Sequence, residues 1–147
     1  SFLAEKYPDR TLYAIDPFID DGNTTHVSGV EKGGELTRIR EIALKSISKF
    51  ENIILHEIKS EDFKHDGDLN VSFVFIDGDH SLEACVNDYK LAMSLIGKKA
   101  GAVVFDDVQT DGVGRAVQLF EKNYPHRISD KSTVRDATTI YYKIKAV

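Results

Sequence analysis

Two short apolar runs that stop abruptly on acid constrain this chain more than anything else in it. Residues 71–76 (VSFVFI) run directly into Asp77, and residues 102–105 (AVVF) run directly into Asp106 and Asp107. A strand that is apolar on consecutive positions, with no alternation, is one covered on both faces, and this is the habit of parallel sheets flanked by helices. The segments around these runs agree. Residues 36, 39, 43, 47 and 50 are apolar at a helical period, as are 82, 85, 86, 89, 92, 93 and 96, and a third helix is expected over 113–123. Further strands are expected at 11–15, 52–57 and 138–144, with a short partner for the last at 126–129. Strands thus alternate with helices, which predicts an α/β fold with a doubly wound, mostly parallel sheet. The last two strands have no long helix between them and should form an antiparallel hairpin at one edge.

The bounds are those of one ordinary domain spanning residues 1–147. Hydrophobic residues make up 41% of the chain and charged residues 29%, with a formal net charge of −5. That balance gives no electrostatic footprint for nucleic acid or for a membrane surface. No apolar run approaches the ~18 residues of a membrane span and no signal peptide is visible, so a cytoplasmic protein is the default expectation. The single cysteine, Cys85, excludes an internal disulfide and a cysteine-based zinc cluster. It falls on the apolar side of a helical pattern and reads as core. Residues 18–34 read as a long polar loop, the kind that in a compact domain carries function or mobility.

Three expected strands end in acid, at Asp16, at Asp77 and at Asp106–Asp107. In open α/β sheets ligands bind beyond the carboxyl ends of the strands. Asp is also a common turn and cap residue, so one such acid would mean little. Three together, one of them doubled, point to a site. Crowded carboxylates repel one another unless a cation sits between them. Mg²⁺ suits such a place because it takes oxygen ligands and retains waters that a substrate displaces. Asp77, Asp106 and Asp107 are the candidate ligands. His80 follows Asp77 by three residues and would stand at the rim, and histidine is the side chain that exchanges a proton near neutral pH. The histidines at 26, 56, 65 and 126 receive no role.

In this order the segments resemble a class I S-adenosylmethionine-dependent methyltransferase, closest to the small-molecule O-methyltransferases of the catechol and macrolide-sugar types. LYAIDPF (12–18) resembles the family's second strand, and the resemblance implies that Asp16 binds the ribose hydroxyls of the cofactor. IILHEIKSEDF (53–63) resembles the third strand and its turn, which would put Ser60 and Glu61 beside the adenine. FVFIDGDHS (73–81) resembles the fourth strand, AGAVVFDDV (101–108) the fifth, and GVGRAVQLF (112–120) the helix after it. The metal-dependent members carry an acid on strand four and an acid pair on strand five, which implies Mg²⁺ on Asp77, Asp106 and Asp107. The family's catalytic base is three residues past the first acid, which implies His80. Asp79, between the two, either orients His80 or shapes the turn. The reaction implied is methyl transfer to a hydroxyl of a small molecule; residues 18–34 and those around Gln109, Thr110 and Asp111 would line the acceptor pocket.

The sequence departs from the family in one respect. It has no E/D-x-G-x-x-x-G turn, and the glycines at 29, 33 and 34 come after the Asp16 strand. The N-terminal SFLAEKYPDR resembles the helix that would follow such a turn, so the first strand is expected to be missing, with about 15–50 upstream residues absent. In the family's strand order, 3-2-1-4-5-7-6, that strand is central. The folded chain should therefore either close residues 11–15 directly on 71–76 or have the gap filled by a partner chain, such as a second copy, because open apolar edges aggregate. Two other readings stand beside the methyltransferase. Phe75–Asp79 also fits the strand and DxD of a haloacid-dehalogenase-like phosphatase, with Asp77 as nucleophile and Asp79 as acid/base. A methyltransferase-like domain that no longer binds cofactor is the third.

Overall fold

The computed structural model describes residues 2–18, 34–65, 69–134 and 137–147. The expected loop at 18–34 therefore lies almost wholly outside the described residues. Within the stretch expected as one domain, the chain forms two compact units, Ser1–Phe63 and Lys64–Val147.

The first unit runs α1 (Phe2–Lys6), β1 (Leu12–Ile15), α2 (Gly34–Ile47), β2 (Ile53–His56) and a 3-10 turn at Ser60–Asp62. β1 and β2 pair in parallel, Leu12 opposite Ile53 and Ile15 opposite His56. The amide of Asp16 continues the ladder by donating to the carbonyl of His56 at 3.1 Å. The Asn52 side chain fastens the start of this unit: its Nδ2 lies 3.1 Å from each of the carbonyl oxygens of Ala4, Tyr7 and Arg10.

The second unit runs β3 (Phe73–Ile76), α3 (Leu82–Ile96), β4 (Gly101–Phe105), α4 (Asp111–Asn123), β5 (Ile128–Val134) and β6 (Thr139–Ile144). Its sheet has the order β3-β4-β6-β5. β3 and β4 are parallel, whereas β4–β6 and β5–β6 are antiparallel. The sheet is thus mixed, and the parallel character expected for the whole holds only for the pairs β1–β2 and β3–β4. The C-terminal hairpin is present and longer than expected, because β5 starts at Ile128 and continues to Val134. β1 and β3 belong to separate sheets.

Local chemistry sets the helix limits. Ser81 caps α3 with its Oγ, which accepts from the amide of Ala84, and Gly97 ends the helix at a φ of 59° that favours glycine. The expected apolar face of α3 is the buried one: Cys85, Tyr89, Ala92, Met93 and Ile96 pack with Val103 and Phe105 of β4 and with Val113, Ala116, Val117 and Phe120 of α4. Tyr142 and Phe120 meet edge to face, their ring centres 5.1 Å apart, and Phe105 and Phe120 do so at 5.3 Å. Burial, with the nearby charges of Asp88 and Asp79, pushes the Cys85 thiol up to about 11, so this thiol stays protonated and serves as core.

Candidate functional site

β3 and β4 are adjacent and parallel, with Ile76 opposite Phe105. Their carboxyl ends therefore deliver Asp77 and Asp106–Asp107 side by side. Three of the groups found there converge. Ligand atoms of Asp77, His80 and Asp107 all lie within 4.8 Å of one another, with Asp77 exposed and the other two half-buried. His80 Nε2 stands 3.3 Å from Asp107 Oδ2. Both groups are reached by turning the chain sharply at the strand ends. After β3, the Oδ1 of Asp79 accepts from the Ser81 amide at 2.8 Å, closing the turn that presents His80 and starts α3. Of the two roles open to Asp79, this contact is the turn-shaping one.

After β4, neighbouring side chains would point to opposite faces if the strand simply continued. Asp106 obeys that rule. Its Oδ1 accepts from the hydroxyl of Thr139, which is buried at the start of β6, and Asp106 is not among the three converging groups. Asp107 breaks the strand with a φ of 51°, in the left-handed region that Asp tolerates better than most residues. Its carbonyl accepts from the amide of Thr110 at 3.0 Å and from the Thr110 hydroxyl at 2.9 Å. Its Oδ1 accepts from Gln109 Nε2 at 2.9 Å, while Oδ2 is the oxygen that faces His80. The acid pair is thus divided: one member is tied to β6 and the other is presented to the strand-β3 loop.

A divalent cation fits this donor set. Two carboxylates brought this close are disfavoured without a positive charge, and an ion with bonds of about 2.1 Å holds opposite ligands about 4 Å apart, comparable with the spread seen here. Asp77 and Asp107 offer the oxygen ligands such an ion prefers, with His80 beside them.

The residues expected to meet the cofactor lie in the first unit. Asp16 is exposed just past β1, with its Oδ1 accepting from the Phe18 amide at 2.8 Å. Ser60 and Glu61 form the 3-10 turn that follows β2. Since β1 and β2 are parallel neighbours, all three come from the same end of that two-stranded sheet. At that end the Nε2 of His56 is buried with no hydrogen-bond partner among the described residues, beside the rings of Tyr13 and Phe63. An exposed carboxylate and an unsatisfied ring nitrogen suit a ligand carrying hydroxyls and a heteroaromatic base. Among the described residues no helix is long and apolar enough to cross a membrane.

Sequence reasoning missed Thr139 and Gly112, and it placed Gln109 at the acceptor pocket without its bond to Asp107. A Cβ on Gly112 would lie 2.0 Å from the His80 carbonyl oxygen, 2.8 Å from the Leu82 nitrogen and 3.0 Å from the Ser81 carbonyl carbon. The GVG that opens α4 was legible as a helix start; that its first glycine is pressed against the His80 backbone was not.

No protein-family model matches the sequence, and no curated protein matches it either. By structure, twelve solved chains match. One of them, the structure of the O-methyltransferase NovP, superposes with a TM-score of 0.66 at 18% sequence identity. The match covers 98% of this chain and 64% of that chain, so the present chain spans somewhat under two thirds of the length of the protein it resembles. At that identity the likeness is one of fold alone.

Proposed function

We propose that the protein transfers a methyl group from S-adenosylmethionine to a hydroxyl of a small molecule with the help of a divalent cation such as Mg²⁺. The observation that carries this reading is the convergence of Asp77, His80 and Asp107 at the ends of adjacent parallel strands in a methyltransferase fold. When bound, the cofactor supplies an electrophilic sulfonium methyl and the cation a Lewis acid that makes a hydroxyl easier to deprotonate. Asp77 and Asp107 hold the cation. Asp106 supports them from behind, its carboxylate fixed by Thr139 so that β4 ends in a defined direction. His80, at 3.3 Å from Asp107, receives the proton of the acceptor hydroxyl on its imidazole. Asp16 accepts from the ribose hydroxyls, with Ser60 and Glu61 at the adenine. Positioning of the two reactants supplies much of the remaining acceleration.

The test is calorimetric titration with S-adenosylhomocysteine, followed by transfer of labelled methyl from S-adenosylmethionine to a panel of phenols and sugars with and without EDTA. We expect binding that Asp16→Ala weakens, and transfer that EDTA or His80→Ala abolishes. No binding of S-adenosylhomocysteine by this chain or by the full gene product would sink the reading at its first step.

A further inference from the structure

We propose that Gln109 and Gly112 are the positioning residues of the His80–Asp107 centre, acting together as a clamp built into the start of α4; the proposal rests on the functional reading above. Neither reaches the reacting atoms. Gln109 determines which Asp107 oxygen is available. Its amide occupies Oδ1 at 2.9 Å, which fixes the rotation of the carboxylate and turns Oδ2 toward His80. With Asp107 already at a positive φ, the backbone alone holds this side chain in a sparsely populated conformation, and the Gln109 bond is the side-chain contact that keeps its oxygens in register.

Gly112 determines the distance between the two loops that carry the centre. Three backbone atoms of residues 80–82 lie within 3.0 Å of where its Cβ would be, and one of them is the carbonyl oxygen of His80 itself. Backbone cannot rotate away as a flexible side chain can. Any larger residue would drive the start of α4 off the β3–α3 loop. The β4–α4 loop that bears Asp107 would move with it, since the amide and hydroxyl of Thr110 are bonded to the Asp107 carbonyl and the amide of Gly114 to that of Thr110. The consequence is a wider gap between His80 Nε2 and Asp107 Oδ2 with both catalytic side chains still present.

The experiment is Mn²⁺ binding followed by electron paramagnetic resonance, together with steady-state kinetics, on the unmutated chain, Gln109→Leu, Gly112→Ala and Asp77→Asn. Gln109 is exposed and its removal should leave the fold intact, which thermal melting checks. We expect Gln109→Leu to weaken Mn²⁺ about threefold to tenfold, the scale of one bond to a charged group in partial contact with water, and to change the line shape of the bound ion. It should lower kcat while the KM for the cofactor stays the same. Gly112→Ala should weaken Mn²⁺ by more than Gln109→Leu. Mn²⁺ affinity and line shape unchanged in a folded Gln109→Leu protein, with Asp77→Asn losing the ion, would overturn the clamp and leave the functional reading standing. No Mn²⁺ binding by the unmutated chain would overturn both.

Discussion

The two compact units of this chain are built on opposite terms. In Lys64–Val147 the core is continuous, running from Ile76 through α3, β4 and α4 to Ile144, with Val103, Phe105, Phe120 and Tyr142 fully shielded. In Ser1–Phe63, Ala4 and Phe63 are the only buried hydrophobic residues among those described. α2 there exposes Ile39 and Ile42, and neither β1 nor β2 has a buried position. The first unit is held instead by polar fasteners. The difference teaches where precision is needed. The cluster of Asp77, His80 and Asp107 stands on the well-packed unit, whose core gives it a rigid base. The residues that would grip the cofactor stand on the thinly packed one, and local stability follows buried apolar contact.

The largest expected effect tests this contrast directly. Phe120 touches Phe105, Tyr89, Tyr124 and Tyr142 and is fully buried. Phe120→Ala should cost about 3–5 kcal/mol in urea denaturation, the usual range for a core phenylalanine. Phe63 is almost as shielded, with the ring of His56 4.9 Å away, but it sits in the thinly packed unit, and Phe63→Ala should cost distinctly less. Hydrogen exchange should show the same order, with amides of β1 and β2 exchanging before those of β4 and β6. Equal costs for the two substitutions would break the comparison.

The next effect is smaller and belongs to the first unit. One side-chain amide, that of Asn52, serves the carbonyls of Ala4, Tyr7 and Arg10, tying the end of α1 and the following turn to the start of β2. Asn52→Ala strands all three acceptors, though water reaches most of them, so the loss should be about 1–2 kcal/mol. Asn52→Asp should be no better despite its shape, because it replaces the donor with another acceptor. A melting curve that Asn52→Asp leaves unchanged would show that packing, not these bonds, holds the unit.

Much of the second unit was legible in the sequence, and for physical reasons. Residues 73–76 and 101–105 announce strands by being apolar at consecutive positions, and the apolar period over 82–96 announces α3. The same pattern predicts cover on both faces, which β4 has and β3 does not, since Phe73 and Phe75 are 46% and 48% exposed. That Asp77, His80 and Asp107 come close together was legible from the acids that end adjacent strands. That Asp106 and Asp107 turn to different partners was not. It depends on the pairing of β4 with β6, which brings Thr139 to a residue 33 positions earlier, and on a single left-handed φ. Neither leaves a local signature. In the first unit the helical period at 36, 39, 43 and 47 identified α2, but periodicity tells which face is apolar and not whether anything covers it. Ile39 belongs to that pattern and is 44% exposed.

The smallest effects separate the units electrostatically. Glu121 receives the ammonium of Lys131 and the hydroxyl of Tyr142 on one oxygen, each at 2.6 Å. These bonds, Lys131 first, hold its carboxyl below the ordinary value of 4.5 against an opposing push from burial. Glu57 is lowered by its bonds to Arg40, at 2.5 and 2.8 Å, but in the open. A carboxyl whose pKa is lower folded than unfolded stabilises the native state fully above the unfolded value. That contribution fades as the pH falls below about 4.5 toward the folded value. Denaturation at pH 7, 5, 4 and 3 should therefore show Glu121→Gln less stable than the unmutated chain at pH 7 and converging with it in acid. Glu57→Gln should differ less at every pH, and its small difference should vanish in 1 M salt, since exposed ion pairs are weak and screened. An acid limb governed by Glu57 rather than Glu121 would mean that the thinly packed unit depends on its surface charges more than the well-packed unit does on its own, and the contrast drawn from burial would then have to be redrawn in electrostatic terms.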